Sequence, residues 1–261
     1  MPILVNKLFG AGINASMSMA NVVGGQTQTL AGAMRSAFQP VITQACGAGE
    51  LDRMRKLAFR SSRINVILAL VFVLPLLLEI QMVMRLWLVN PPRFAAELCV
   101  MFMLASVVEQ MTFGHIVSIN AYGDVAASQM FEFGSMMFAL AALPLSYFMG
   151  CGLCSIGVAV FMSYLAMAVG RVYCARKILE MRIMPLFSRI VFPVCLVAGL
   201  SVAGGCLVRM FMPESVIRIG VTTGAVELLF LPLTWVFLLE EEERLFVRSK
   251  ARSYWEKVTG K

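Results

Sequence analysis

Asn21-Val-Val-Gly-Gly-Gln-Thr-Gln-Thr-Leu-Ala-Gly-Ala-Met-Arg35-Ser-Ala-Phe-Gln39-Pro40-Val-Ile-Thr-Gln-Ala-Cys46-Gly-Ala-Gly-Glu50 decides how the rest of the chain is read. From Asn21 to Cys46 it is long enough to cross a bilayer, since roughly 20 helical residues span the hydrocarbon. Yet it carries Asn21, Gln26, Gln28, Arg35, Gln39 and Gln44. Polar groups at membrane depth are costly, so such a helix turns that face to a protein interior or a watery cavity. Arg35 stands eleven residues before the helix end at Cys46, where the loop into the next basic stretch begins, about 16 Å at 1.5 Å per residue. Two readings stay open: Arg35 snorkels to a headgroup from a packed helix, or the helix lines a cavity.

Working outward, composition sets the class. Of 261 residues 59% are hydrophobic and 14% charged, whereas soluble domains hold about 25% charged residues. The expected fold is therefore all-α and integral to a membrane, with about seven transmembrane helices. The net charge of +7 raises a nucleic-acid partner. The Lys and Arg sit in short loops between apolar runs, as orientation signals do, so membrane lipids are expected instead. Met1-Pro-Ile-Leu-Val-Asn-Lys7 lacks the basic start and cleavage site of a signal peptide.

Residues 1–20 read as the tail of a preceding helix and a connection. The polar-faced span ends at Gly47-Ala-Gly49, where glycine suits a C-terminal cap. Leu51 to Arg63, with Arg53, Arg55, Lys56, Arg60 and Arg63, reads as a short helix on the membrane surface. A second span covers Ile64 to Leu78, and Asn90-Pro-Pro92 breaks the chain before a third from Phe94 to Asn120. The uncharged stretch from Phe133 to Gly170 is too long for one helix and divides at Gly150-Cys-Gly152, with Pro144 bending the fourth span. The sixth runs from Ile190 to Val208, the seventh reaches Leu239, and residues 241–261 form a basic tail. This arrangement puts the 51–63 loop, the 171–189 loop and the tail on one side, the cytoplasmic one. The C-terminus is then inside.

Chemistry-bearing motifs are few. No HExxH, GxSxG or P-loop appears, so no enzyme, metal or cofactor is expected. The lone His115 reads as a hydrogen bonder between helices. Glu109, buried among apolar residues, reads either as a coupling or substrate contact or as a structural partner of Arg35. Glu132 reads as a hydrated acid near the inner surface. Glu227 matches Glu109 in depth. Cys151-Gly-Leu-Cys154 reads as a small-residue hairpin or a labile disulfide. Gly152-x4-Gly157 and Gly199-x4-Gly204 read as close-packing devices.

Against this background Ala37-Phe-Gln-Pro40-Val-Ile-Thr-Gln-Ala-Cys-Gly-Ala-Gly49-Glu50 resembles the polysaccharide-export, O-antigen-flippase-like family of the multidrug/oligosaccharidyl-lipid/polysaccharide (MATE-like) transporter superfamily. Three later stretches are similar in the same order: Leu74-Pro75 to Glu79 with Leu86-Trp87-Leu88, Asn120-Ala-Tyr-Gly123, and Leu143-Pro144-Leu-Ser-Tyr147. The likeness covers roughly residues 5–184, and more loosely the last two spans.

The resemblance implies one lobe, the second half, of a two-lobe flippase: residues 21–184 as a five-helix lobe and 185–240 as two additional helices. It implies a fragment, or a chain completed by a missing N-terminal lobe or a second copy. Its implied substrate is an undecaprenyl-pyrophosphate-linked oligosaccharide crossing the bacterial inner membrane for polysaccharide biosynthesis. Arg35 would pair with the pyrophosphate, and Asn21, Gln28 and Gln39 would meet sugar hydroxyls. A cation-coupled multidrug exporter, with Glu109 as coupling acid, and a non-transporting assembly partner are the alternatives. The chain departs from the family in its turn at Asp124, which lacks lysines, and in the basic Arg35, where a neutral polar residue is expected.

Overall fold

A computed structural model describes residues 2–88, 90–92, 94–148, 154–245, 248 and 249. Among these, all regular structure is helical. The short helix α1 (Pro2–Phe9) is set off from α2 (Ala11–Gly47) by Gly10, whose φ of 87° only glycine adopts readily. So the polar helix begins ten residues before Asn21, and the expected connection is part of it. It continues through Pro40 and ends as expected, with Gly49 at φ 74°.

α3 (Leu51–Trp87) corrects a second expectation. The basic stretch 51–63 is not a separate surface helix but the first turns of one 37-residue helix. No glycine or proline interrupts Arg60-Ser-Ser-Arg63-Ile-Asn65, and its cations find oxygen partners. Arg55 Nε donates to the Leu179 carbonyl at 2.8 Å, and Arg63 pairs with Glu240 and Glu243. At about 55 Å, α3 exceeds the ~30 Å hydrocarbon and projects beyond it.

The third span is broken rather than continuous: α4 (Ala95–Met111) and α5 (Phe113–Tyr122) meet at Thr112 with a 48° bend. Just beyond the bend Gly114 lies against α3, its N–H donating to Ser62 Oγ at 2.8 Å. A Cβ there would overlap the Ala58 carbonyl, so close helix approach requires glycine. Next come α6 (Ala126–Phe148) and α7 (Cys154–Leu179). The dividing Gly150–Gly152 turn lies outside the described residues, as do Cys151 and most of the basic tail. The sixth span is longer than expected: α8 (Met184–Leu186), a π-helical turn (Phe187–Val191) and α9 (Phe192–Phe211) form a continuous 28-residue helix. α10 (Val216–Phe237) completes the chain.

Five described helices are long and apolar enough to cross a membrane, or six with the bent α4–α5 pair as one span. The chain is an all-α, multi-pass membrane protein. α2, at 37 residues, has the length of a span but is too polar to join this set. α3 is central, packed by α2, α4, α5, α9 and α10, while α7 and α6 extend the bundle beyond α4. The core runs through Leu70, Val73 and Leu74 of α3, Leu98 and Met103 of α4, and Phe230 of α10.

The 51–63 stretch, the 171–189 stretch and the residues that lead into the tail share one end of the bundle. Arg55 reaches Leu179, Arg63 reaches Glu240 and Glu243, and Arg189 meets Glu240 at 3.2 Å. At the other end Arg85 pairs with Glu214 at 2.9 Å, and Glu79 pairs with Arg218 at 2.9 Å.

Candidate functional site

α2 is packed most deeply toward its ends. Ile13, Met17, Ala20 and Gly24 are buried toward one end, Ile42 and Ala45 toward the other. Between Gly25 and Val41 no described residue is buried. The middle of a membrane-length helix is thus open, and it is where Gln28, Arg35 and Gln39 project. Asn21, Gln28 and Arg35 recur every seven residues, and Gln39 follows one turn later, so they share one face. That stripe extends about 27 Å, close to the thickness of the hydrocarbon. Asn21, Arg35 and Gln39 are exposed and Gln28 is half-buried.

Opposite this opening lies a charged network on four helices. The Gln28 amide donates to Glu109 Oε2. Glu109 Oε1 lies 3.7 Å from the Arg171 guanidinium of α7, which also donates through Nε and Nη2 to Glu132 Oε1 at 3.0 and 2.9 Å. Burial in a low-dielectric bundle makes such groups tolerable only when paired, and one guanidinium here serves two carboxylates. The Arg171 side chain is 8% exposed, those of Glu109 and Glu132 17% and 26%. The positions follow from local packing. Gly170, beside Arg171, lies so close to Phe131 that a Cβ would collide with that ring, which brings α6 and α7 together at this level.

Arg35 is not Glu109's partner. Its guanidinium lies 5.5 Å above the centre of the Phe113 ring, at the start of α5, a cation–π contact that leaves its N–H groups free to meet a ligand. Glu132 is likewise corrected from a hydrated acid to a member of the network. His115 is buried, edge-on to Phe59 with centroids 5.4 Å apart, and its Nδ1 has no hydrogen-bond partner. The nearby buried amide pair is Asn65 Nδ2 to Gln110 Oε1, at 3.0 Å, joining α3 to α4. Glu227 is remote from the network, on α10, and its Oε1 is buried without a partner. Of the glycines read as packing devices, Gly157 meets Met101 and Gly204 meets Leu229, while Gly199 faces open space.

Arg171 is the residue that sequence reasoning missed. It closes the uncharged run 133–170 and was counted with Arg176 and Lys177 as one basic block. Its first position in that block, directly after an apolar span, was the available signal: it is one helical turn or more deeper than its neighbours. No group of three metal-ligating side chains occurs among the described residues. Compared with protein-family models, with curated proteins and with solved structures, the chain matches none.

Proposed function

We propose that this chain is one lobe of a non-enzymatic transporter that moves a lipid-linked oligosaccharide, of the undecaprenyl-pyrophosphate type, across the bacterial inner membrane. The observation that carries the reading is the open middle of α2. Asn21, Arg35 and Gln39 of α2 are exposed along one face, and a helix with such a face in a membrane protein borders a watery space. A second lobe, from another chain or another copy, would close that space into a cavity. Arg35 then offers a guanidinium to a pyrophosphate through charge-assisted hydrogen bonds, and the amides meet hydroxyls. The positive-inside rule puts the shared basic end, and the C-terminus, in the cytoplasm.

The charge count of the network favours a second reading. One guanidinium against Glu109 and Glu132 leaves one negative charge in excess, which favours a bound cation. Glu109 would then couple transport to an ion gradient, for this substrate or for a drug. A chain that serves as a non-transporting assembly partner would move neither.

The test is outward movement of a fluorescent polyprenyl-pyrophosphate glycan in proteoliposomes containing the chain with its completing lobe. Arg35→Gln is expected to slow movement about tenfold or more, as loss of a charge-assisted hydrogen bond implies. Movement no faster than in protein-free liposomes, or an Arg35→Gln variant as fast as the parent at equal protein level, sinks the reading. Glu109→Gln separates the coupled version, because it abolishes dependence on a proton or sodium gradient while glycan binding persists.

A further inference from the structure

A cleft of about 830 Å³ opens between the bundle and the α8–α9 helix. Its walls are Val108 of α4, Leu165, Val169 and Val172 of α7, and Val191 and Cys195 of the facing helix. At its mouth stand Arg176 and Lys177, in the last turn of α7. Both are exposed, and among the described residues neither forms an ion pair. This sets them apart from Arg55, Arg63, Arg85, Arg171, Arg189, Arg209 and Arg218, each of which has a carboxylate. Arg182, also exposed, borders the adjoining hollow with Arg176.

From Leu165 to Arg176 the cleft runs about 16 Å along α7, the depth of one leaflet's hydrocarbon, half of ~30 Å. Apolar walls at leaflet depth with unpaired cations at the rim complement an amphiphile with an anionic head. We propose that the cleft holds one anionic phospholipid of the leaflet on the basic side. An acyl chain lies between α7 and α9, and the phosphate rests on Arg176 and Lys177. The lipid fills the space that separates α9 from α7, since α9 itself rests on α3 and α10. The site is independent of the transport reading.

Native mass spectrometry of the full chain, delipidated and then titrated with phosphatidylglycerol or phosphatidylcholine, reads the occupancy. One phosphatidylglycerol should be retained in preference to phosphatidylcholine. Arg176→Gln with Lys177→Gln should lower its retention by roughly 5-fold per cation, about 30-fold together. Those side chains are exposed and unpaired, so the variant keeps its fold. Val169→Trp, which puts bulk on the exposed wall, should expel both lipids. Maleimide labelling gives an internal comparison within α9: phosphatidylglycerol should protect Cys195, in the cleft, and not Cys206, which is exposed elsewhere. Equal retention of the two lipids, or an unaffected double variant, overturns the proposal. Protection of Cys195 that survives delipidation overturns it too, because protein rather than lipid then occupies the cleft.

Discussion

α2 and α3 each contain 37 residues and both carry polar side chains along their length, yet they use them in opposite ways. On α3 the buried ones are matched: Arg63 with two glutamates, Asn65 with Gln110, Glu79 with Arg218 and Thr222. On α2 the stripe Asn21–Arg35–Gln39 is exposed, and Gln28 alone among the stripe is tied to the network behind it. The difference teaches that polarity in a membrane helix is ambiguous until its partners are known. Matched polar groups lock helices together, whereas unmatched ones wait for water or a ligand.

The comparison breaks most visibly if a matched group is deprived of its partner. Arg218→Met leaves the Glu79 carboxylate, 1% exposed, with Thr222 and with Arg209 at 3.8 Å. Removing one member of a buried pair costs about 3–5 kcal/mol, and Arg209 keeps the loss toward the lower figure. Thermal unfolding in detergent should show a drop far exceeding that of Arg85→Met. Arg85, in its pair with Glu214, is 60% exposed. Equal drops would mean that the buried pair is not what holds α3 to α10.

Gly114→Ala is expected next in size. Its new methyl meets backbone, the Ala58 carbonyl, and not the end of a flexible side chain, so α3 and α5 must separate. Overpacking of this kind costs about 1–3 kcal/mol. Gly199→Ala, where nothing lies within 4 Å of the added atom, is the matched control and should be neutral or slightly stabilising.

How much of this was legible beforehand follows from which forces act locally. Helix type and apolar spans came from composition, because hydrophobic runs and breakers such as Asn90-Pro-Pro92 act through the chain's own neighbours. The C-terminal cap of α2 at Gly49 was local too, and it was read correctly. The unity of α3 was not legible. Arg53 to Arg63 look like a surface block until Leu179, Glu240 and Glu243, more than a hundred residues away, supply partners for Arg55, Arg60 and Arg63. For the same reason Gln28 and Glu109 could each be picked out, but not the joining of Glu109 to Glu132 through Arg171. Pairing across helices is a tertiary fact, and a sequence displays only the members.

For the unmatched stripe the prediction sharpens the contrast, since stability should hardly move. Asn21→Ala and Gln39→Ala remove exposed groups without a partner among the described residues, so each should shift unfolding by less than about 0.5 kcal/mol. Arg35→Gln forfeits its contact with Phe113, worth about 0.5–1 kcal/mol at an exposed site. If these variants keep their stability and lose transport, the stripe is a ligand surface. If they unfold the protein, α2 is packed by something other than its own bundle, and its open middle has a protein occupant.

The smallest effect concerns the edge of the matched network, at the basic end. Hydrogen bonding to Arg63 lowers the pKa of Glu240 below the usual glutamate value, and the charges of Arg63 and Arg189 add to the effect. Because the folded state holds the proton less tightly than the unfolded one, the stabilisation is fully present above about pH 4.3. It fades as pH falls through that value toward the lower folded pKa. Glu240 is 45% exposed, so solvent and salt screen much of it. Melting temperature followed from pH 6 down to pH 3 should fall less steeply in Glu240→Gln than in the parent. An identical slope would show that Arg63 is held by Glu243 alone, the deeper partner at 4% exposure, and that the half-exposed acid contributes contact without linkage.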